Sequence, residues 1–143
     1  MSEIRKLIRY VYWCGAHFNY RTFGESGDTG KMLLCLIYAL VLFNIAAFIQ
    51  VAAIGHQNAN EVYGTDIVVV AKFVIVALAG LIYYVVHRKF RNYPILKNPE
   101  FMHVSDKTRR IHTILIFLFP VFEIYALLVI MSPSFHLSQL SLW

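Results

Sequence analysis

The sequence predicts an all-α membrane protein: an N-terminal interfacial amphipathic helix followed by three transmembrane helices, with the N-terminus inside and the C-terminus outside. Hydrophobic residues make up 59% of the 143-residue chain and charged residues 15%, too few to coat a surface that faces water alone. Three apolar runs, residues 32–54, 66–86 and 111–131, are each long enough to cross a hydrocarbon core of about 30 Å at about 1.5 Å per residue. The cations are segregated. Of the thirteen Lys and Arg residues, Arg5, Lys6, Arg9, Arg21 and Lys31 precede the first run, and Arg88, Lys89, Arg91, Lys97, Lys107, Arg109 and Arg110 lie between the second and third. The connection Gly55–Thr65 and the tail from Ser132 to Trp143 contain none, so the positive-inside rule places both basic stretches in the cytoplasm.

Residues 1–31 divide into a helix and a linker. In SEIRKLIRYVYWCGAHF, Ile4, Leu7, Ile8, Val11 and Tyr12 recur at the spacing of one helical face, and Arg5, Lys6 and Arg9 occupy another. That pattern suits a helix lying in the inner interface, with Tyr10, Trp13 and Tyr20 at headgroup level. The following FGESGDTGK, residues 23–31, departs from a phosphate-binding loop: five residues separate Gly24 from Gly30, Met32 stands where a hydroxyl is required, and a helix replaces the preceding strand. It reads as a flexible linker. Residues 32–143 then form a three-helix transmembrane bundle. Its basic cytoplasmic loop, 87–110, is broken by Pro94 and Pro99 and is the most exposed protein surface expected. Ser105, Asp106 and Lys107 signal the start of the third helix.

No catalytic, cofactor-binding or metal-binding constellation emerges. The six histidines show no HxxxH spacing, there is no CxxC or GxSxG motif, and Cys14 and Cys35 fall on or near the reducing side, where packed thiols are expected, with lipidation of Cys14 a lesser alternative. The net charge of +5 describes a face apposed to anionic lipid headgroups rather than a nucleic-acid surface. Arg5, Lys6, Arg9, Arg88, Lys89, Arg91, Arg109 and Arg110 are the expected headgroup contacts.

The informative residues are the polar ones within the spans: Asn44, Gln50, Lys72 and Glu123. Lys72 lies roughly 9 Å and Glu123 roughly 12 Å below the outer boundary, nearly level, and an intramembrane ion pair between them is the simplest expectation. Lys72 shares its helical face with Val76, Ala79 and Tyr83, beside Gly80, where another helix could approach closely. Asn44 and Tyr83 extend a polar cluster around the pair, and Pro120 is expected to kink the third helix next to Glu123.

The order IRKLIRYVYW, three spans, and HRKFRNYPILKNPEF feeding KTRRIHTILIFLFPVFEIYALL resembles the small orphan three-span inner-membrane proteins of bacteria. Some of these look like immunity or accessory factors that act on a partner. The resemblance implies a multi-pass, non-enzymatic binding protein of the bacterial inner membrane, partnered by another membrane protein or by itself as a homo-oligomer. The alternative reading is an oligomeric ion or proton channel, or a transporter subunit, using Glu123 and Lys72.

Overall fold

A computed structural model describes residues 3–57 and 59–132, and all of its regular structure there is helical. Helix α1 (Glu3–Phe18) carries Glu3 in its first turn, the end at which the helix dipole favours an anion. The chain then reverses through the short α2 (Tyr20–Phe23) and a 3-10 turn, Gly24–Ser26, with Gly24 and Gly27 at positive φ. Helix α3 (Asp28–Ile54) begins four residues before its apolar run, and its first turn includes an ion pair of 3.2 Å between Lys31 and Asp28. After α4 (Ala59–Tyr63) come α5 (Thr65–Lys89) and α6 (Asp106–Met131). The start signal at the third span is made as expected: Ser105 caps α6, its Oγ accepting from the Thr108 amide at 3.2 Å. Three helices, α3, α5 and α6, are long and apolar enough to cross a membrane.

Helix α3 is central. α1, α5 and α6 all pack on it, α1 also touches α6, and there is little contact between α5 and α6. Leu34 near the start of α3 and Val86 near the end of α5 share one buried cluster, and the short connection through α4 joins their other ends, so α5 is antiparallel to α3, whereas α3 and α6 run side by side in the same direction. The start of α3, the end of α5 and the start of α6 therefore share one end of the molecule, and that end holds most of the buried core.

Helix α1 is part of that core. Its residues 12–16 are all buried, a run that a helix resting on a flat interface would not show, since only one face would be covered. Ile4 and Leu7, at 70% and 61% exposure, remain outside. The reason is a close helix crossing: a Cβ on Gly15 would stand 3.0 Å from Gly30 Cα, and one on Gly30 would overlap the carbonyl oxygen of Tyr12. Two glycines and Ala16 let the backbones of α1 and α3 approach in the manner of small-residue helix pairs. Residues 23–31 are correspondingly an ordered corner rather than a linker: Gly27 and Gly30 are buried, and Tyr12 Oη packs over Gly27.

The basic loop is likewise shorter and better anchored than expected. Residues 87–89 belong to α5 and 106–110 to α6. Between them Phe90, Ile95, Asn98 and Phe101 are buried, and Trp13 Nε1 donates to Ile95 O at 2.8 Å. Asn98 bridges the turn, donating to Pro94 O at 3.1 Å and accepting from the Glu100 amide at 2.9 Å. Asn58 and the tail beyond Ser132, including His136, lie outside the described residues.

Candidate functional site

Glu123 in α6 is paired with Asn44 in α3. Asn44 Nδ2 donates to Glu123 Oε2 at 2.7 Å and to the Glu123 carbonyl at 3.0 Å, and also lies 3.0 Å from Leu40 O in its own helix. Three acceptors around one nitrogen fix the orientation of the amide, because a rotated side chain would set Oδ1 against two carbonyl oxygens. Asn44 Oδ1 is buried and accepts nothing from the described residues. Pro120, three residues before Glu123, is also buried, and α6 continues through it to Met131; its missing N–H leaves the Ile116 carbonyl without the usual helical donor.

The expected Lys72–Glu123 pair does not form. Lys72 is exposed on α5 and makes no ion pair or hydrogen bond among the described residues. Helices α5 and α6 sit against α3 with little mutual contact. Residue counts along a helix give no azimuth around α3. Tyr83 does not join the cluster either: it is 55% exposed and stacks on His87 at 5.9 Å. The signal that picks out Asn44 instead is present in the sequence, since both spans run in the same direction and Asn44 and Glu123 each lie twelve residues beyond Met32 and Ile111, the predicted starts.

A double-mutant cycle of Asn44→Ala and Glu123→Gln should therefore show a coupling of about 1 kcal/mol in detergent, typical of intramembrane hydrogen bonds. A cycle of Lys72→Met with Glu123→Gln should be additive. Coupling in the second cycle and none in the first would reverse the assignment.

At the basic end the predicted headgroup contacts separate into two sets. Arg9 Nη1 lies 3.1 Å from Glu100 Oε2, which also accepts from Tyr93 Oη at 2.8 Å. Burial pushes the Glu100 carboxyl up, and these two bonds outweigh it, so the group sits below its ordinary range. Arg109 pairs with Asp106 at 2.9 Å and lies 5.7 Å from the Trp13 ring centroid. Lys89 lies over Phe90 at 5.6 Å, and Arg88 Nη1 reaches Tyr84 Oη at 3.5 Å. Arg5, Lys6, Arg91 and Arg110 are exposed and carry their charge outward.

Around them lies an aromatic cluster that the sequence did not announce. Tyr12 stacks on Phe90 at 4.2 Å, Phe101 sits 5.3 Å from Trp13, and Tyr10 Oη is 2.6 Å from His112 Nδ1. Burial, with Cys14 nearby, pushes the Tyr10 phenol up to about 12, so it stays protonated beside the imidazole. Burial likewise raises the Cys14 thiol above its ordinary range, which makes it a packed, unreactive group rather than a lipidation site. No cluster of metal ligands occurs among the described residues. Comparison with protein-family models, with curated proteins and with solved structures finds no match.

Proposed function

We propose that the chain is a non-enzymatic, multi-pass binding protein of the bacterial inner membrane, an accessory or immunity-type subunit that acts on a partner protein within the bilayer. The observation that carries this reading is Lys72. A lysine costs about 2.5 to 3.5 kcal/mol at the centre of a span and less toward its edge, and Lys72, seven residues into α5, has no counter-charge in its own chain among the described residues. The helix around it is uncovered. None of the most apolar stretch of α5 is buried, against 22% for α3; Phe73 and Val76 are 71% and 69% exposed, and nothing lies within 4 Å of a Cβ built on Gly80. A partner helix bearing a carboxylate at the level of Lys72 would satisfy the charge and could pack closely at Gly80. The alternative of an ion or proton channel rests on Lys72 and Glu123 acting together, and it loses support because α3 separates their helices. Orientation with the N-terminus inside is supported by the twelve cations outside the spans.

A photo-crosslinker at Val76, one turn from Lys72, tests the reading in intact cells. The expected result is a discrete adduct with a second membrane protein that is lost in Lys72→Met and kept in Lys72→Arg. An adduct of twice the chain mass would identify the partner as a second copy. Lipid adducts alone, equal in both variants, would overturn the proposal. In the same cells, labelling of a cysteine at the exposed Lys97 by an impermeant reagent from outside would reverse the orientation.

A further inference from the structure

We infer that the groove between the α1–α2 corner and the first three turns of α6 is a binding site for an anionic glycerophospholipid. The groove measures about 1070 Å3, far more than a lone phosphate fills and at the upper end of the size of small-ligand sites. Its lining is graded. Arg109 and Arg110 line it at the start of α6 and Arg21 lines it from α2, and no acidic residue lines the groove. Phe18, Ile114, Phe117 and Leu118 continue it along the apolar part of α6, with the Phe18 and Phe117 rings 4.9 Å apart at the seam between α1 and α6. Arg110 and Leu118 are eight residues apart, so the lining extends about 12 Å along the helix axis, from headgroup level into the acyl region.

The cations differ in what they have to offer. Arg109 is already held by Asp106 at 2.9 Å and by the Trp13 ring, and so is positioned with its charge partly matched. Arg21 and Arg110 are exposed and have no acidic partner among the described residues. His17, also in the lining, is pushed down from its ordinary range by burial, and its Nδ1–H donates to Trp13 O at 3.2 Å; it contributes a neutral polar wall rather than a fourth charge. Two unmatched guanidinium groups and an apolar wall in one groove complement a phosphate attached to acyl chains. A free phosphate would engage the first and leave the second empty. The inference does not rest on the partner proposed for α5, which lies elsewhere on α3.

The test uses the full chain in mild detergent, with native mass spectrometry to follow retention of phosphatidylglycerol against phosphatidylcholine. Wild type should retain phosphatidylglycerol preferentially. Arg21→Gln/Arg110→Gln should weaken that retention roughly twenty- to thirty-fold, whereas Arg88→Gln/Arg91→Gln, which removes equal charge from the same end outside the groove, should change it by less than about threefold. Excess glycerol phosphate should not displace the lipid. Equal losses in both double variants would mean diffuse attraction to a basic face and would overturn the site; so would an absence of headgroup preference in wild type. Displacement by glycerol phosphate at the lipid's own concentration would overturn the lipid as its occupant.

Discussion

Trp13→Ala is expected to destabilise the protein by about 3–5 kcal/mol, the range for emptying a large aromatic from a packed interior. The indole is 4% exposed. It touches three segments at the basic end: Phe101 of the 90–105 segment at 5.3 Å, His17 one turn along α1 at 4.6 Å, and the Arg109 guanidinium of α6 at 5.7 Å. Its Nε1 donates to the Ile95 carbonyl, so truncation both opens a cavity and leaves a buried acceptor unmatched. Trp13→Phe separates the two contributions: most of the ring packing is kept, and the loss should fall to about 1–3 kcal/mol, the cost of an unsatisfied buried carbonyl plus a small void. Thermal unfolding in detergent gives the magnitudes, and limited proteolysis gives the location. Cleavage should appear first between Phe90 and Ser105, because the segment is tied to α1 through this residue. A Trp13→Ala protein that unfolds like wild type and resists cleavage there would show that α1 is not part of the folded core.

Gly30→Ala should lower stability by about 1–3 kcal/mol, the usual penalty for overpacking, even though alanine is favoured over glycine in a helix by roughly 1 kcal/mol. The added Cβ meets backbone: it would overlap Tyr12 O and lie 3.0 Å from Ala16 N. Neither atom can move unless α1 moves as a unit, and that displacement would propagate to the Tyr12–Phe90 stack and the Trp13–Ile95 bond. Gly80→Ala is the internal reference. Its Cβ would enter open space, so in the isolated chain the propensity gain is uncompensated and the change should be neutral or stabilising by up to about 1 kcal/mol. Equal responses at the two sites would show that the α1–α3 crossing is looser than described.

The spans were legible because their signal is local. An apolar run long enough for the bilayer is a property of consecutive residues, and α3, α5 and α6 end at or within three residues of the predicted limits, with α3 and α6 stopping at Ile54 and Met131 as read. The starts of α3 and α6 came earlier than the apolar runs, at Asp28 and Asp106, because helix geometry continues into polar turns where an acidic first-turn residue, joined at α6 by the Ser105 cap, favours it. The N-terminal helix was also legible as a helix. Its environment was not: an apolar face fits lipid or protein equally well, and the choice lay in two glycines fifteen residues apart, which have no local pattern.

The candidate site divides along the same line. The sequence by itself determined that Asn44, Lys72 and Glu123 lie within membrane-length helices and roughly how far along each, because rise per residue is fixed. It also determined the segregation of charge, because that is a matter of where Lys and Arg occur. Only the tertiary structure decided which polar residues meet. Rotation and neighbour order around α3 depend on how all four long helices pack, and those contacts brought Asn44 to Glu123 and left Lys72 exposed on α5. The same is true of the basic end, where identical guanidinium groups became structural at Arg9 and outward-facing at Arg110. A charge is written in one residue, but its partner is chosen by the packing of residues far away in the chain.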